Sequence, residues 1–369
     1  MIVGVVGLGT MGLGIAQVFA SAGYRVLATD AFQPARENAE ARLRAALEPR
    51  VAKSALTAEA MVAMLANLQI VTGPEAMANA DFVIEAVVET LPAKQSLFVA
   101  LEAVVSTKTV LATNTSSLSV ASIAAEMKIP ERLLGIHFFN PAPVMKLVEL
   151  VAHKTTSVEV IALARALLES TGKTVIACAD RPGFIVNRCA RPYYGEALAL
   201  LEEGRTASDI DASMLAAGYK IGPLSLIDLI GADINLAATE GLQAAMRHPR
   251  YHVFESLKSQ VASGNLGRKS GQGFLFPASP GVPPTDAAEI ALRIDATLAN
   301  EAAWLFSEGG VAAQDIDQAL RLGLNFPRGA FETASLHGEN RIRTKLACLE
   351  ANAPQHLRTR YLMPPSLSG

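Results

Sequence analysis

The 369-residue sequence predicts an α/β N-terminal domain on a parallel sheet, followed by an all-α domain and a second, shorter copy of it. Three observations predict this. Strand-like apolar runs alternate with helical stretches up to about residue 180. From Pro182 the spacing is helical until a short strand-like end at Gly273-Phe274-Leu275-Phe276. A segment beginning at Glu196 then recurs about a hundred residues later. A chain of this length exceeds one ordinary core and suits several domains.

The first element, Ile2-Val3-Gly4-Val5-Val6, reads as a buried parallel strand, and Gly7-Leu8-Gly9-Thr10-Met11-Gly12 follows without a gap. Leu13 to Ala22 carries apolar residues at helical spacing and is stopped by Gly23. The next strand, Arg25 to Thr29, ends in Asp30. Strand, glycine turn, helix, strand and terminal acid together form the dinucleotide fingerprint of a Rossmann-type domain. Gly7 makes the tight turn, Gly9 lets a pyrophosphate approach the backbone, and Gly12 lets helix and strand pack closely. The amides at the helix start attract the pyrophosphate. Asp30 accepts from ribose hydroxyls and repels a 2′-phosphate, which favours NAD over NADP. Further strands at Ala80 to Val88, Thr109 to Thr113 and Leu133 to His137 continue an open parallel sheet with helical stretches between them.

The run Gly135-Ile136-His137-Phe138-Phe139-Asn140-Pro141 places one histidine at the end of an apolar strand, with an Asn-Pro break after it. The next strand, Lys146-Leu147-Val148-Glu149-Leu150, can bring a carboxylate to one ring nitrogen. Such a pair moves a proton on or off a hydroxyl near neutral pH.

Bulk composition narrows the classes. No apolar run is long enough to span a bilayer. The sequence opens on its first strand, so no leader peptide is expected. Cys178, Cys189 and Cys348 are scattered with no metal-like spacing, so a reducing, cytoplasmic setting without zinc or disulfides is expected. A net charge of −3 gives no pull toward nucleic acid or membrane.

With these motifs in hand, the chain resembles the 3-hydroxyacyl-CoA dehydrogenase family from Ile2 to about Phe276. The ordered set is the Gly7 to Gly12 turn, Glu85-Ala86-Val87-Val88-Glu89, Thr113-Asn114-Thr115-Ser116-Ser117, Gly135 to Pro141, Pro182-Gly183-Phe184-Ile185-Val186-Asn187-Arg188 and Gly271-Gln272-Gly273-Phe274. The resemblance implies that His137 is the catalytic base, taking the C3 hydroxyl proton while hydride leaves for the nicotinamide, and that Glu149 orients it. It assigns Ser116 and Asn187 to the substrate oxygens, and Glu89, Lys94, Asn114 and Asn140 to the cofactor side. Asn114 to Ser117 is also a helix N-cap signal, and Glu89 with Lys94 also fits a surface ion pair. Arg50 and Lys53, in the helical insert after the second strand, are candidates for the phosphates of an acyl-CoA substrate.

The internal echo pairs Glu196 to Gly204 and Asp209-Ile210-Asp211 with Glu301 to Gly309 and Asp315-Ile316-Asp317; Gly222 and Gly231 pair with Gly329 and Gly338. The expected domains are 1–180 for NAD, 181–276 for the helical domain, a proline-rich linker at 277–287, and a degenerate copy at 288–369. In the family's larger members a doubled helical region packs as a second subunit would. The chain is therefore expected to be a homodimer, or a monomer whose second copy stands in for the dimer contact. The tail Arg360 to Pro365 reads as extended surface chain. With no hydratase segment, the dehydrogenase step alone is expected. The competing readings are a dehydrogenase of a free small hydroxy acid and a non-catalytic dinucleotide-binding structural protein.

Overall fold

A computed structural model describes residues 1–364. The chain divides into two compact units, Met1–Arg181 and the remainder from Pro182. Among the described residues, no helix is long and apolar enough to cross a membrane.

The first unit is an eight-stranded sheet. Its strands are β1 (Ile2–Val6), β2 (Arg25–Thr29), β3 (Leu68–Ile70), β4 (Phe82–Glu85), β5 (Val110–Thr113), β6 (Leu133–Phe138), β7 (Leu147–Ala152) and β8 (Thr174–Ala179). They lie in the order β3-β2-β1-β4-β5-β6-β7-β8. Apart from the half-buried Ile2, β1 and β4 to β6 are buried along their length, as expected of strands covered on both faces. The order reverses between β1 and β4, the switch point at which such sheets bind ligands. The helix Thr10–Ser21 buries Leu13, Ile15, Ala16 and Phe19 in the sheet's main core.

One boundary in this sheet is corrected, and two of its features go beyond what the sequence indicated. The strand read as Ala80 to Val88 spans only Phe82–Glu85, because Val87 and Val88 belong to the loop that leaves the sheet edge. β3 and β8 join the sheet without having been anticipated. β7 runs antiparallel to β6, since the short connection from Phe139 to Lys146 cannot make the long crossover a parallel neighbour needs.

In the second unit, the helices Arg191–Glu202, Ala207–Ala216, Pro223–Ile230 and Ala232–Met246 recur in order as Ala287–Ser307, Ala313–Leu324, Ala330–His337 and Glu339–Asn352. One device occurs in both sets. Asp211 accepts the amides of Leu224 and Ser225 at 2.9 and 2.8 Å; Asp317 accepts those of Phe331 and Glu332 at 2.8 and 3.1 Å. Each carboxylate thereby satisfies orphan amides at a helix start. A Cβ on Gly222 or Gly329 would fall 2.2 Å from the respective aspartate.

The two sets are joined by reciprocal buried ion pairs. Glu196 receives Arg293 at 2.7 Å, Arg360 at 3.2 Å and the Tyr361 hydroxyl at 3.0 Å. Its counterpart Glu301 receives Arg188 at 2.7 Å and the Tyr251 hydroxyl at 2.5 Å. Arg250 Nε stands 2.8 Å from Glu301 Oε2, off its N–H axis, as an ion contact without a hydrogen bond. Arg293 also grips Glu203 with both Nη atoms, as Arg188 grips Glu308.

Two further expectations are corrected. Gly273 to Phe276 is not a strand: Asp228 takes the amides of Phe274, Leu275 and Phe276, each at 2.8 Å. Nor is the tail extended surface chain. Gln355–Tyr361 is a 3-10 helix with Arg360 and Tyr361 buried, because both satisfy Glu196. Pro365 and the rest of 365–369 lie outside the described residues.

Burial alone would push the Glu196 carboxyl up, but Arg293 and Arg360 hold it below the ordinary range. Its contribution to stability is present above the unfolded carboxylate pKa and is lost as pH falls through the depressed folded value. Glu196→Gln should cost about 3–5 kcal/mol at neutral pH, because two guanidinium groups lose their buried partner. Urea denaturation checks this: the gap to wild type should shrink with acidification, and equal stability at neutral pH contradicts it.

Candidate active site

The sheet's C-terminal edge collects most of the predicted site. At the end of β1, Gly7 adopts φ +104°, and a Cβ there would meet the Ala86 carbonyl oxygen at 2.4 Å. At Gly12 a Cβ would fall 1.8 Å from the Gly7 oxygen, so helix and turn approach as only glycines permit. Thr10 and Met11 open the helix Thr10–Ser21, whose first amides face out of the turn. At the end of β2, Asp30 accepts the Leu8 amide at 2.7 Å and the Phe32 amide at 2.8 Å. A groove of about 560 Å³ runs past Leu8, Gly9, Asp30, Phe32 and Arg42. These residues fit a dinucleotide: open backbone for the pyrophosphate, an oriented acid for the ribose and the exposed Phe32 ring for a flat base.

Beyond β4 and β5 lies a chain of charges. Glu85, fully buried, accepts the Val87 amide at 2.7 Å, the Thr113 hydroxyl at 2.7 Å and Lys94 Nζ at 2.5 Å. Lys94, 1% exposed, also stands 3.1 Å from Glu89 Oε2. This pair is buried on the lysine side, not the surface pair that its spacing also allowed. Glu89 Oε1 gathers the Thr115 hydroxyl at 2.7 Å and the Ser116 and Ser117 amides at 2.8 and 3.2 Å. Burial alone would raise the Glu89 carboxyl, but Lys94, the Thr115 hydroxyl and the Ser116 amide together hold it below its ordinary value. Asn114 Oδ1 accepts the Phe138 amide at 2.9 Å. The N-cap of the following helix, Val120–Ala124, is Ser119 rather than a residue of the 114–117 run; Asp180 supports it by accepting the Val120 and Ala121 amides.

His137 and Glu149 face each other across the β6–β7 ladder, with Nδ1 2.6 Å from Glu149 Oε2. Glu149 is 0% and His137 6% exposed. The Phe139 ring lies 4.5 Å from the imidazole, centre to centre. The loop bearing Asn140 is pinned by Lys173, whose Nζ donates to the Ala142 and Met145 carbonyls at 2.6 and 2.7 Å. Burial pushes this amine below its ordinary pKa.

The remaining predicted residues lie on other elements. Asn187 sits in the helix Val186–Cys189 of the second unit. Lys53 is exposed at the C-terminal end of the helix Ala39–Ala52, and Arg50 lines a cavity of about 450 Å³ with Gln17 and Lys173. Sequence reasoning missed Glu85, Thr115, Lys173 and Asp180. Glu85 carried a signal, an acid ending an apolar strand; the others are linked only through tertiary contacts.

Comparison with known proteins places both units. The profile "3-hydroxyacyl-CoA dehydrogenase, NAD binding domain" matches residues 2–181. The profile "3-hydroxyacyl-CoA dehydrogenase, C-terminal domain" matches 183–276 and again 290–365. The chain is 47% identical over 274 residues to 3-hydroxyadipyl-CoA dehydrogenase of Escherichia coli, an alignment covering 73% of this chain and 58% of that protein. The chain therefore spans less than two thirds of that relative. It is 39% identical over 272 residues to a probable 3-hydroxybutyryl-CoA dehydrogenase of Bacillus subtilis, covering 73% of this chain and 95% of the relative. The crystal structure of an Escherichia coli 3-hydroxybutyryl-CoA dehydrogenase superposes with a TM-score of 0.91 at 34% identity, covering 100% of this chain and 97% of that one.

Gly12→Ala should raise the dissociation constant for NADH at least about tenfold by displacing the turn from the helix amides. Fluorescence titration measures it, and unchanged affinity contradicts the assignment.

Proposed function

The chain belongs to the 3-hydroxyacyl-CoA dehydrogenase family of NAD-dependent oxidoreductases, and we propose that it catalyses the reversible oxidation of an (S)-3-hydroxyacyl-CoA to the 3-oxoacyl-CoA, a step of the fatty-acid β-oxidation type. The observation that carries this reading is the buried His137–Glu149 pair on the same sheet edge as the dinucleotide turn. Bound NAD supplies the hydride acceptor. His137 takes the proton from the C3 hydroxyl on Nε2, while Glu149 holds the proton on Nδ1 and stabilises the imidazolium that forms. Ser116 and Asn187 hold substrate oxygens. Glu89 and Lys94 would contact the cofactor, with Lys94 bracing Glu89 against Glu85. Asn114 and Asn140 frame the cofactor side, and Lys53 meets the CoA phosphates.

The domains follow the proposed boundaries 1–180, 181–276, 277–287 and 288–369, and the second helical copy takes the place of a partner subunit. The reciprocal pairs Arg188–Glu301 and Arg293–Glu196 support this, since a self-complementary interface repeats each contact in mirror roles. Three cysteines without disulfides support a cytoplasmic setting.

His137→Ala should lower kcat about 10²–10⁴-fold in NADH oxidation with acetoacetyl-CoA. Wild-type turnover in that variant removes the mechanism, and equal wild-type rates on free acetoacetate remove the thioester assignment. In sedimentation, a chain truncated after Phe276 should self-associate or precipitate, because Glu196 then loses Arg293 and Arg360. A soluble monomer contradicts the stand-in role of the second copy.

A further inference from the structure

The turn that carries Ser116 is held between two carboxylates. Upstream, Glu89 takes the Thr115 hydroxyl and the Ser116 and Ser117 amides. Downstream, Asp180 accepts the Ser119 hydroxyl at 2.8 Å, the Val120 amide at 3.0 Å and the Ala121 amide at 2.8 Å. Between them the turn closes on itself, with Thr115 Oγ1 accepting the Leu118 amide at 2.9 Å. Glu89 belongs to the cofactor side of the site. Asp180 comes from elsewhere, directly after the end of β8.

An acid at a strand end is commonly a solvated charge. Asp180 is instead half-buried, and its bonds reach a segment 59 to 61 residues away in the chain. That segment needs it. The helix Val120–Ala124 has five residues, too few for its own hydrogen bonds to hold its start. Ser119 Oγ accepts the Ser122 amide at 3.2 Å while giving its proton to Asp180. The carboxylate then covers two of the remaining orphan amides with charge-assisted bonds, at the positive end of the helix.

The same helix is set against the strand that bears His137. Val120 is fully buried, and a Cβ on Gly135 would fall 2.9 Å from Val120 Cγ2. Glycine at this point of β6 is what lets helix and strand lie so close. β7 separates β6 from β8, so Asp180 reaches over one strand to fix a helix on the next. Ser116 and His137 act on one substrate, and a misplacement of about 1 Å between such groups costs about 10²-fold in rate.

Resting on the assignment of Ser116 to a substrate oxygen in the proposed function, we propose that Asp180 is a positioning residue for the reaction. It locks the Ser116 turn against β6, so that the serine hydroxyl and the His137 imidazole converge on the same substrate. It acts through the turn and touches no reacting atom.

The test is a double-mutant cycle of Asp180→Ala with Ser116→Ala, read as kcat/KM for acetoacetyl-CoA with NADH. Asp180→Ala should lower kcat/KM about 10–10²-fold, while its dissociation constant for NADH stays within about twofold of wild type. Loss of NADH affinity in the same proportion as activity overturns the proposal, since Asp180 would then only hold the fold. On the Ser116→Ala background, Asp180→Ala should cost less than about threefold, because no hydroxyl remains to be placed. The same loss with and without Ser116 overturns the proposal. Asp180→Asn, which keeps the size and one acceptor, runs the same cycle in a milder form and should show the same coupling at smaller size. Wild-type kcat/KM in Ser116→Ala defeats the assignment of Ser116 and the proposal with it, whereas an impaired Ser116→Ala with additive losses defeats the proposal alone. If wild type does not turn the thioester over, the proposed function fails, and the cycle is read on calorimetric binding of acetoacetyl-CoA to the NAD-loaded protein. Coupling there upholds the positioning role, and additivity overturns it.

Discussion

The pairing of His137 with Glu149 across the β6–β7 ladder is the constraint on which the rest of the site depends. In an antiparallel pair, directly opposed residues share a face, and slipping the register by one residue would turn each side chain to the other side. The register is held from several directions. β6 is buried along its length, Asn114 takes the amide that follows His137, and Lys173 ties down the loop that returns the chain to Glu149. With the carboxylate fully buried, imidazole is its hydrogen-bonding counterpart, so ring orientation and tautomer are fixed together.

Around that pair the chain spends buried charge on position. Glu85, Lys94 and Glu89 form a relay from the strand ends to the Ser116 turn. Removing one member would strand the next in a dry interior. The helical unit uses the same economy twice, with Glu196 and Glu301 each at the centre of a cluster of arginines and a tyrosine drawn from the other helical set and its own 3-10 helix.

Much of this was legible in the sequence because it is local. The glycine turn, the helix after it and Asp30 announce themselves by spacing alone, and the echo of Asp211 in Asp317 survives as a spaced pair of motifs. What escaped is set by distant partners. Gly273 to Phe276 has the composition of a strand, yet Asp228 claims its amides. Arg360 and Tyr361 look like surface tail until Glu196 is seen to need them. The Asn114 to Ser117 run has capping chemistry, but Glu89 takes its donors and leaves the cap to Ser119. The antiparallel β7 was readable from the shortness of its connection; β3, of three residues, was too short to register as a periodic signal.

The central claim is that Glu149 holds the Nδ1 proton and leaves Nε2 of His137 as the base. Nitrogen-15 NMR of histidine-labelled protein with NAD bound reports this directly, since protonated and unprotonated ring nitrogens differ widely in shift. Near neutral pH the account predicts protonated Nδ1 and unprotonated Nε2 for His137 in wild type, with that preference lost in Glu149→Ala. A wild-type His137 carrying its proton on Nε2, or a tautomer indifferent to Glu149, would contradict it.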